Sequence, residues 1–188
     1  MLPDQIINFR DVVTLKDGVN VLLRPMTADD QQQLVDLFAP ISEEDARYLR
    51  HDVKDAAVIQ SWCEDLDYAC VLPLLALVKD RAVGEATLHF RAGPKRHLGE
   101  VRIFLAKDFR RRGLGSKMIN KLIDLARKQD LYTLVAEIVA DQSKVIKAFQ
   151  NLGFELRCVY PDYFMLPDGD TRDVAILMYC LRPDLDEF

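Results

Sequence analysis

The stretch "KDFRRRGLGSKMINKL", Lys107 to Leu122, sets three consecutive arginines against a Gly-Leu-Gly turn. Leu114, Met118, Leu122, Leu125 and Ala126 then follow at helical spacing, so the turn stands at a helix head. Like charges side by side repel, which makes this a poor helix start unless an anion sits over it. A helix head leaves backbone N–H groups unpaired and carries partial positive charge. Glycine lets that backbone approach an anion with no Cβ in the way. Arg110, Arg111 and Arg112 would add charge-assisted hydrogen bonds. The chemistry this suits is a polyphosphate seat; a nucleic acid or solvent counter-ions are the other anions that could meet it.

The bulk composition narrows those choices. The chain has 188 residues, a net charge of −5, 49% hydrophobic and 29% charged residues, which predicts one globular domain, 1–188. Net acidity argues against a general nucleic-acid binder, which needs a broad basic surface. "MLPDQIINFR" lacks the pattern of a secretory leader, and the longest apolar run, broken by Pro73, is too short for a membrane span. Cys63, Cys70, Cys158 and Cys180 show no Cys-x-x-Cys spacing and no histidine cluster. They read as buried, reduced thiols of a cytoplasmic protein with no metal site and no membrane partner.

Around the turn lie the elements that must position it. "VVTLKDGVNVLLRP" reads as a hairpin turning at Asp17-Gly18. Thr27 caps a helix, Ser42 starts a second, and a third covers Asp55 to about Leu66. "LLALVKDRAVGEATLHF" is another hairpin, turning at Asp80-Arg81, and "GEVRIFL" alternates as a strand. "LYTLVAEIV" has the continuous apolar character of a central strand. A helix opens at Asp141 or Gln142 and stops at Gly153, and "FELRCVY" and "DVAILMYCL" are closing strands. The predicted architecture is α/β (α+β): a mixed sheet flanked by helices.

Two phosphate-binding motifs fail here. A Walker loop needs Gly-Lys-Ser/Thr, and the Rossmann fingerprint needs a third glycine; neither is present. What remains is Arg/Gln-x-x-Gly-x-Gly/Ala, matched by Arg110-Arg111-Arg112-Gly113-Leu114-Gly115. That hexapeptide resembles the pyrophosphate loop of the GNAT N-acetyltransferases. "AVGEATL", "EIVADQSKVIKAFQNLGFEL" and the closing "RDVAILMYCL" resemble further family signatures, in family order. The opening "VTLKDGVNVLLRPMTADD" is similar to the acetyltransferase domain of bacterial Pat-type protein lysine acetyltransferases, and the likeness spans about residues 12–181.

The resemblance implies a mostly antiparallel central sheet and acetyl transfer from acetyl-CoA to a primary amine, either a protein lysine or a small molecule. Cofactor contacts would come from Ile103, Phe104 and Leu105 on the fourth family strand, from Arg110 to Ser116 at the helix head, and from Gln142 and Phe149 on the following helix. Glu100, opposite Val101, Ile103 and Leu105 on its strand, matches the Pat-type glutamate and is the candidate base, with His97 and Glu85 in reserve. Phe149 stands where many members carry an acid tyrosine, so Tyr160 or Tyr163 would supply that proton, or the thiolate leaves unassisted. Glu43, Glu44, Asp45, Asp162, Asp168 and Asp170 line the implied amine pocket, which suits a cation or is merely a soluble surface. Homodimers are common in this family. Two other readings stay open: a silent acyl-CoA-binding module, and a nucleotide or nucleic-acid binder using the arginine triplet alone.

Overall fold

A computed structural model describes residues 7–182; the first six residues of the stretch read for a leader lie outside it. The hairpin β1 (Asp11–Thr14) and β2 (Asn20–Pro25) turns through Gly18, whose φ is 82°. Asp30 accepts from both the backbone N–H and the hydroxyl of Thr27, at 2.7 and 3.0 Å, and starts α1 (Gln31–Phe38). Ser42 caps α2 (Glu43–Ala46), which is a single turn, and Asp55 caps α3 (Ala56–Glu64). The strands β3 (Val71–Val78), β4 (Arg81–Phe90) and β5 (Leu98–Leu105) follow. The turn between β3 and β4 sits one residue earlier than expected, at Lys79-Asp80, with Lys79 at φ 56°.

After β5 come α4 (Leu114–Lys128), β6 (Thr133–Val139), α5 (Ser143–Gln150), β7 (Glu155–Met165) and β8 (Thr171–Cys180). The eight strands form one sheet in the order β1-β2-β3-β4-β5-β6-β8-β7. Every neighbouring pair is antiparallel except β5–β6. A mixed, mostly antiparallel sheet flanked by helices is therefore what the chain builds. Of the four cysteines only Cys63 is buried; Cys158 is half-buried and Cys70 and Cys180 are exposed, against the expectation that all four would be buried. No described helix is long and apolar enough to cross a membrane.

Helix α4 packs on one face of the sheet with Leu114, Met118, Ile119, Leu122, Ile123, Leu125 and Ala126 buried. The close approach depends on Gly84. A Cβ there would stand 2.7 Å from Leu105 Cδ2 and 3.3 Å from Met118 Sδ. Gly84→Ala is accordingly expected to cost about 1–3 kcal/mol, the usual range for overpacking a filled core. Urea unfolding would measure it; an unchanged midpoint would mean that α4 can slide away freely.

Candidate functional site

Parallel pairing of β5 with β6 lasts three residues. Leu98, Gly99 and Glu100 face Thr133, Leu134 and Val135, and there it ends. From Val101 onward β5 pairs only with β4, and from Ala136 onward β6 pairs only with β8. The two strands thus splay apart and leave the β5 edge from Val101 to Leu105 without a strand partner on that side. Main-chain groups on such an edge invite an extended ligand to add itself as a strand. Four residue steps at about 3.3 Å each make that edge roughly 13 Å long.

At the open end stands the head of α4. Gly113 is its N-cap, with φ 88° and ψ −1°, and a Cβ there would meet nothing nearer than Lys16 Cε at 3.8 Å. The backbone can hold this left-handed turn only cheaply as glycine, and its outer side is open. Gly115 is different. Its missing Cβ points at Leu105 Cδ1, 3.3 Å away, and Ile103 Cδ1, 3.7 Å away. The absence of a side chain at Gly115 thus lets the head of α4 pack against β5.

The arginine triplet is neutralised more than the sequence suggests. Arg110 donates to Asp45 at 2.9 Å and to the Leu105 carbonyl at 3.1 Å. Arg112 donates to Asp17 at 2.6 Å and stacks over the Phe109 ring at 4.2 Å. Arg111, at φ 60°, is exposed and has no ion pair among the described residues. Repulsion within the triplet is relieved by remote carboxylates, and one guanidinium is left for an anion. Ser116 is exposed beside it, Leu114 is wholly buried, and Gln142 caps α5. Phe149, expected near the cofactor, is 4% exposed and packs edge-on against Phe154 at 5.0 Å.

The closed end of the opening holds a charged cluster. Glu100 is 1% exposed, and three guanidiniums meet it: Arg50 at 2.9 Å, Arg102 at 2.7 Å, and Arg91. Burial pushes its carboxyl up, but the hydrogen bond from Arg102 and the charges of Arg102, Arg50 and Arg91 outweigh it and hold the group below the usual range. Across the opening, on β6, Glu137 accepts from Arg50 at 2.7 Å and keeps 12% of its side chain exposed. Arg50 therefore bridges both strands at the vertex, over the face of Phe164 at 4.9 Å.

Glu137 was the residue that sequence reasoning passed over. Its signal was available: it is the lone acid inside "LYTLVAEIV", and a charge in an otherwise apolar strand demands a partner. The segment from Asp45 to Arg50 contacts both sides of the opening. Arg47 pairs with Asp168 at 2.8 Å, and Tyr48 reaches Asp141 at 3.5 Å. Asp170 pairs with Arg172, and Asp162 accepts from the Thr171 hydroxyl. Most of the carboxylates read as a cation-attracting pocket are thus already partnered.

The remaining candidates lie apart. Tyr160 and Tyr163 sit on β7, separated from β6 by β8, stacked on each other at 5.3 Å and 49% and 53% exposed. The neighbouring Cys158 raises the Tyr160 hydroxyl above its ordinary range, which makes it a weaker acid. His97 is exposed beside Tyr132. Glu85, on β4 opposite Phe104, is pushed up to about 7 by burial alone.

That burial has a consequence for stability. Below the ordinary value of 4.5 the Glu85 carboxyl is neutral in both folded and unfolded chains, and nothing is lost. Between 4.5 and about 7 the unfolded chain gives up this proton while the folded chain keeps it, so stability falls across that window and the loss is complete above it. With some solvent contact retained, the full penalty is about 1–3 kcal/mol. Glu85→Gln should therefore raise the Tm at pH 8 and leave it nearly unchanged at pH 4.5. An equal shift at both values would remove the titration from the explanation.

Comparison with known proteins bears directly on this geometry. The sequence profile described as "Acetyltransferase (GNAT) family" matches residues 32–154, well over half of the chain. The chain belongs to the GNAT acetyltransferase family. Among curated proteins it resembles the ribosomal protein bS18-alanine N-acetyltransferase of Escherichia coli, with 34% identity over 71 residues, 38% of this chain and 47% of that protein. The chain thus spans about half the length of the curated relatives it matches.

Solved GNAT structures share the fold over most of the chain. The GNAT domain of Streptomyces lividans PAT superposes with a TM-score of 0.75 at 20% identity, covering 91% of this chain and 96% of that one. A putative acetyltransferase of Salmonella typhimurium, solved with its cofactor acetyl-CoA, gives 0.73 at 20% identity over 87% and 95%. The splayed β5–β6 pair and the open Gly113 turn fit a long pantetheine arm ending in a diphosphate. Among the described residues no cluster of three or more metal-ligating side chains occurs.

Proposed function

We propose that this chain transfers an acetyl group from acetyl-CoA to a primary amine, by direct attack with both substrates held in one complex. The observation that carries the reading is the splay between β5 and β6 ending at the bare head of α4. When bound there, acetyl-CoA supplies the thioester carbon that the amine attacks. The unpartnered β5 edge orients the pantetheine arm as an added strand and offers backbone N–H groups to the thioester oxygen. The amides at Gly113 and the guanidinium of Arg111 hold the diphosphate.

An aliphatic amine is mostly protonated at neutral pH, so a carboxylate must take its proton. Of the two carboxylates at the vertex, Glu137 is the proton acceptor in this reading: it touches solvent and meets two guanidiniums, Arg50 at 2.7 Å and Arg91 at 4.0 Å, where Glu100 meets three. Glu100, the base implied by the Pat-type resemblance, is buried under three guanidiniums that hold its proton affinity down. Its role here is to fix those arginines. Tyr160 and Tyr163 receive no acid role; a thiolate with a pKa near 8.5 leaves without one. The acceptor amine belongs to a protein chain or to a small molecule.

The buried Phe149 favours a second reading, a silent acyl-CoA-binding module. Release of free CoA from acetyl-CoA, followed with a panel of amines and protein lysates, separates the two. Turnover above hydrolysis on any acceptor supports the transferase. Tight binding with no turnover supports the module, and no binding of acetyl-CoA sinks both.

A further inference from the structure

The vertex of the opening holds more positive charge than it neutralises. Arg50 from the segment after α2, Arg91 from the end of β4 and Arg102 from β5 meet two carboxylates, Glu100 and Glu137, which leaves a formal +1. The nearby histidines do not change this with acid or base at neutral pH. Burial, then the Arg102 charge, presses His89 down to about 4, and burial with Arg102 and Arg50 lowers His51.

Three clustered guanidiniums repel one another, and two carboxylates balance them only in part. Each guanidinium carries five N–H donors in a planar fork that matches a carboxylate. The hydrogen bonds to Glu100 and Glu137 use one nitrogen of each: Nη2 of Arg50, Nη2 of Arg91 and Nε of Arg102. Their side chains remain 30%, 44% and 30% exposed, so donors are left for a ligand. Phe164 covers one face of Arg50 and limits its orientation.

The location matters as much as the charge. Glu100 is the last β5 residue paired with β6. Glu100 thus stands roughly 16 Å along the strand from its α4 end at Leu105, counting five steps of about 3.3 Å. That is the end where acyl group and amine would meet, whereas the diphosphate seat lies at the other.

We propose that the vertex binds a carboxylate carried a few bonds away from the reacting centre, docked on Arg91 with Arg50 and Arg102 beside it. This rests on the transferase reading above and narrows its substrates. One chemistry has two possible sources: the far end of a dicarboxylic acyl chain on CoA, or the carboxylate of an amino-acid-like acceptor. Either adds an anionic group to the partner that the acidic loops left open as a cation, and three of those loop carboxylates, Asp45, Asp168 and Asp170, are paired with Arg110, Arg47 and Arg172.

The test has two arms, each with the full chain and with Arg91→Gln, a substitution at a half-exposed position. In the first, calorimetry compares the affinities of acetyl-CoA and succinyl-CoA. In the second, CoA release from acetyl-CoA compares free amino acids with their amides. A preference of about tenfold for the carboxylate in the first arm, lost in Arg91→Gln, assigns the anion to the acyl chain; the same result in the second arm assigns it to the acceptor. Acetyl-CoA binding with no carboxylate preference in either arm overturns the proposal and leaves the transferase reading standing. Failure to bind either thioester removes both.

Discussion

In a Glu137→Gln variant, kcat for acetyl transfer is expected to fall by about a hundredfold or more, the range general bases supply. The affinity for acetyl-CoA should stay about where it was, because Glu137 lies at the vertex and the proposed diphosphate seat is at the head of α4. Glutamine keeps an acceptor oxygen for Arg50, so the bridge at the closed end is not left as an unpaired buried cation. A purely structural role predicts a uniform loss at every pH. Loss of the base predicts something else: the residual rate should climb about tenfold per pH unit below the amine pKa, as the free amine fraction rises. A Glu137→Gln enzyme with wild-type kcat, or with a flat residual profile, would move the base elsewhere. Glu85, raised to about 7, would then be the next to examine.

The second large effect concerns cofactor affinity. Gly113→Asp should weaken acetyl-CoA binding on the order of a hundredfold, since a carboxylate about 5 Å from a diphosphate repels both of its charges. The fold should tolerate the change. Aspartate is among the residues that visit the left-handed region at modest cost, an acid at a helix head is favourable, and the space outside Gly113 holds only Lys16. Gly113→Ala is the control, because it carries the same backbone strain without the charge. A much smaller loss in Gly113→Ala than in Gly113→Asp points to the anion seat. Equal losses would indicate backbone distortion alone, and undiminished affinity in both would take the diphosphate away from this helix. Gly115→Asp cannot serve the same purpose, because its carboxylate would be driven against Leu105 and Ile103 and would unsettle the core.

These two experiments differ in how far the sequence alone could design them. The Gly113 turn at the head of α4 was readable because everything that builds it is local: the stripe from Leu114 to Ala126, the glycine and the preceding arginines lie within about five helical turns of one another. The hairpin turn at Gly18, the Thr27 and Ser42 caps and the stop at Gly153 were readable for the same reason. Glu137 was harder. Its strand was recognised from its apolar run, but nothing in the neighbouring residues announces that Arg50, 87 positions away, bridges it to Glu100.

What the chain order determined, then, was the set of elements, the glycine turn at the head of α4 and the family to which they belong. These follow from periodicity, turn chemistry and caps, which act over a few residues. Tertiary structure alone decided which charges cancel. Arg110 is silenced by Asp45 from 65 residues away and Arg112 by Asp17 from 95, while Arg111 stays open. It also decided that Glu100 is buried under three guanidiniums, while Glu137 meets two and keeps some contact with solvent. Ion pairing depends on distance through space and on burial, and neither is written in the order of residues along the chain.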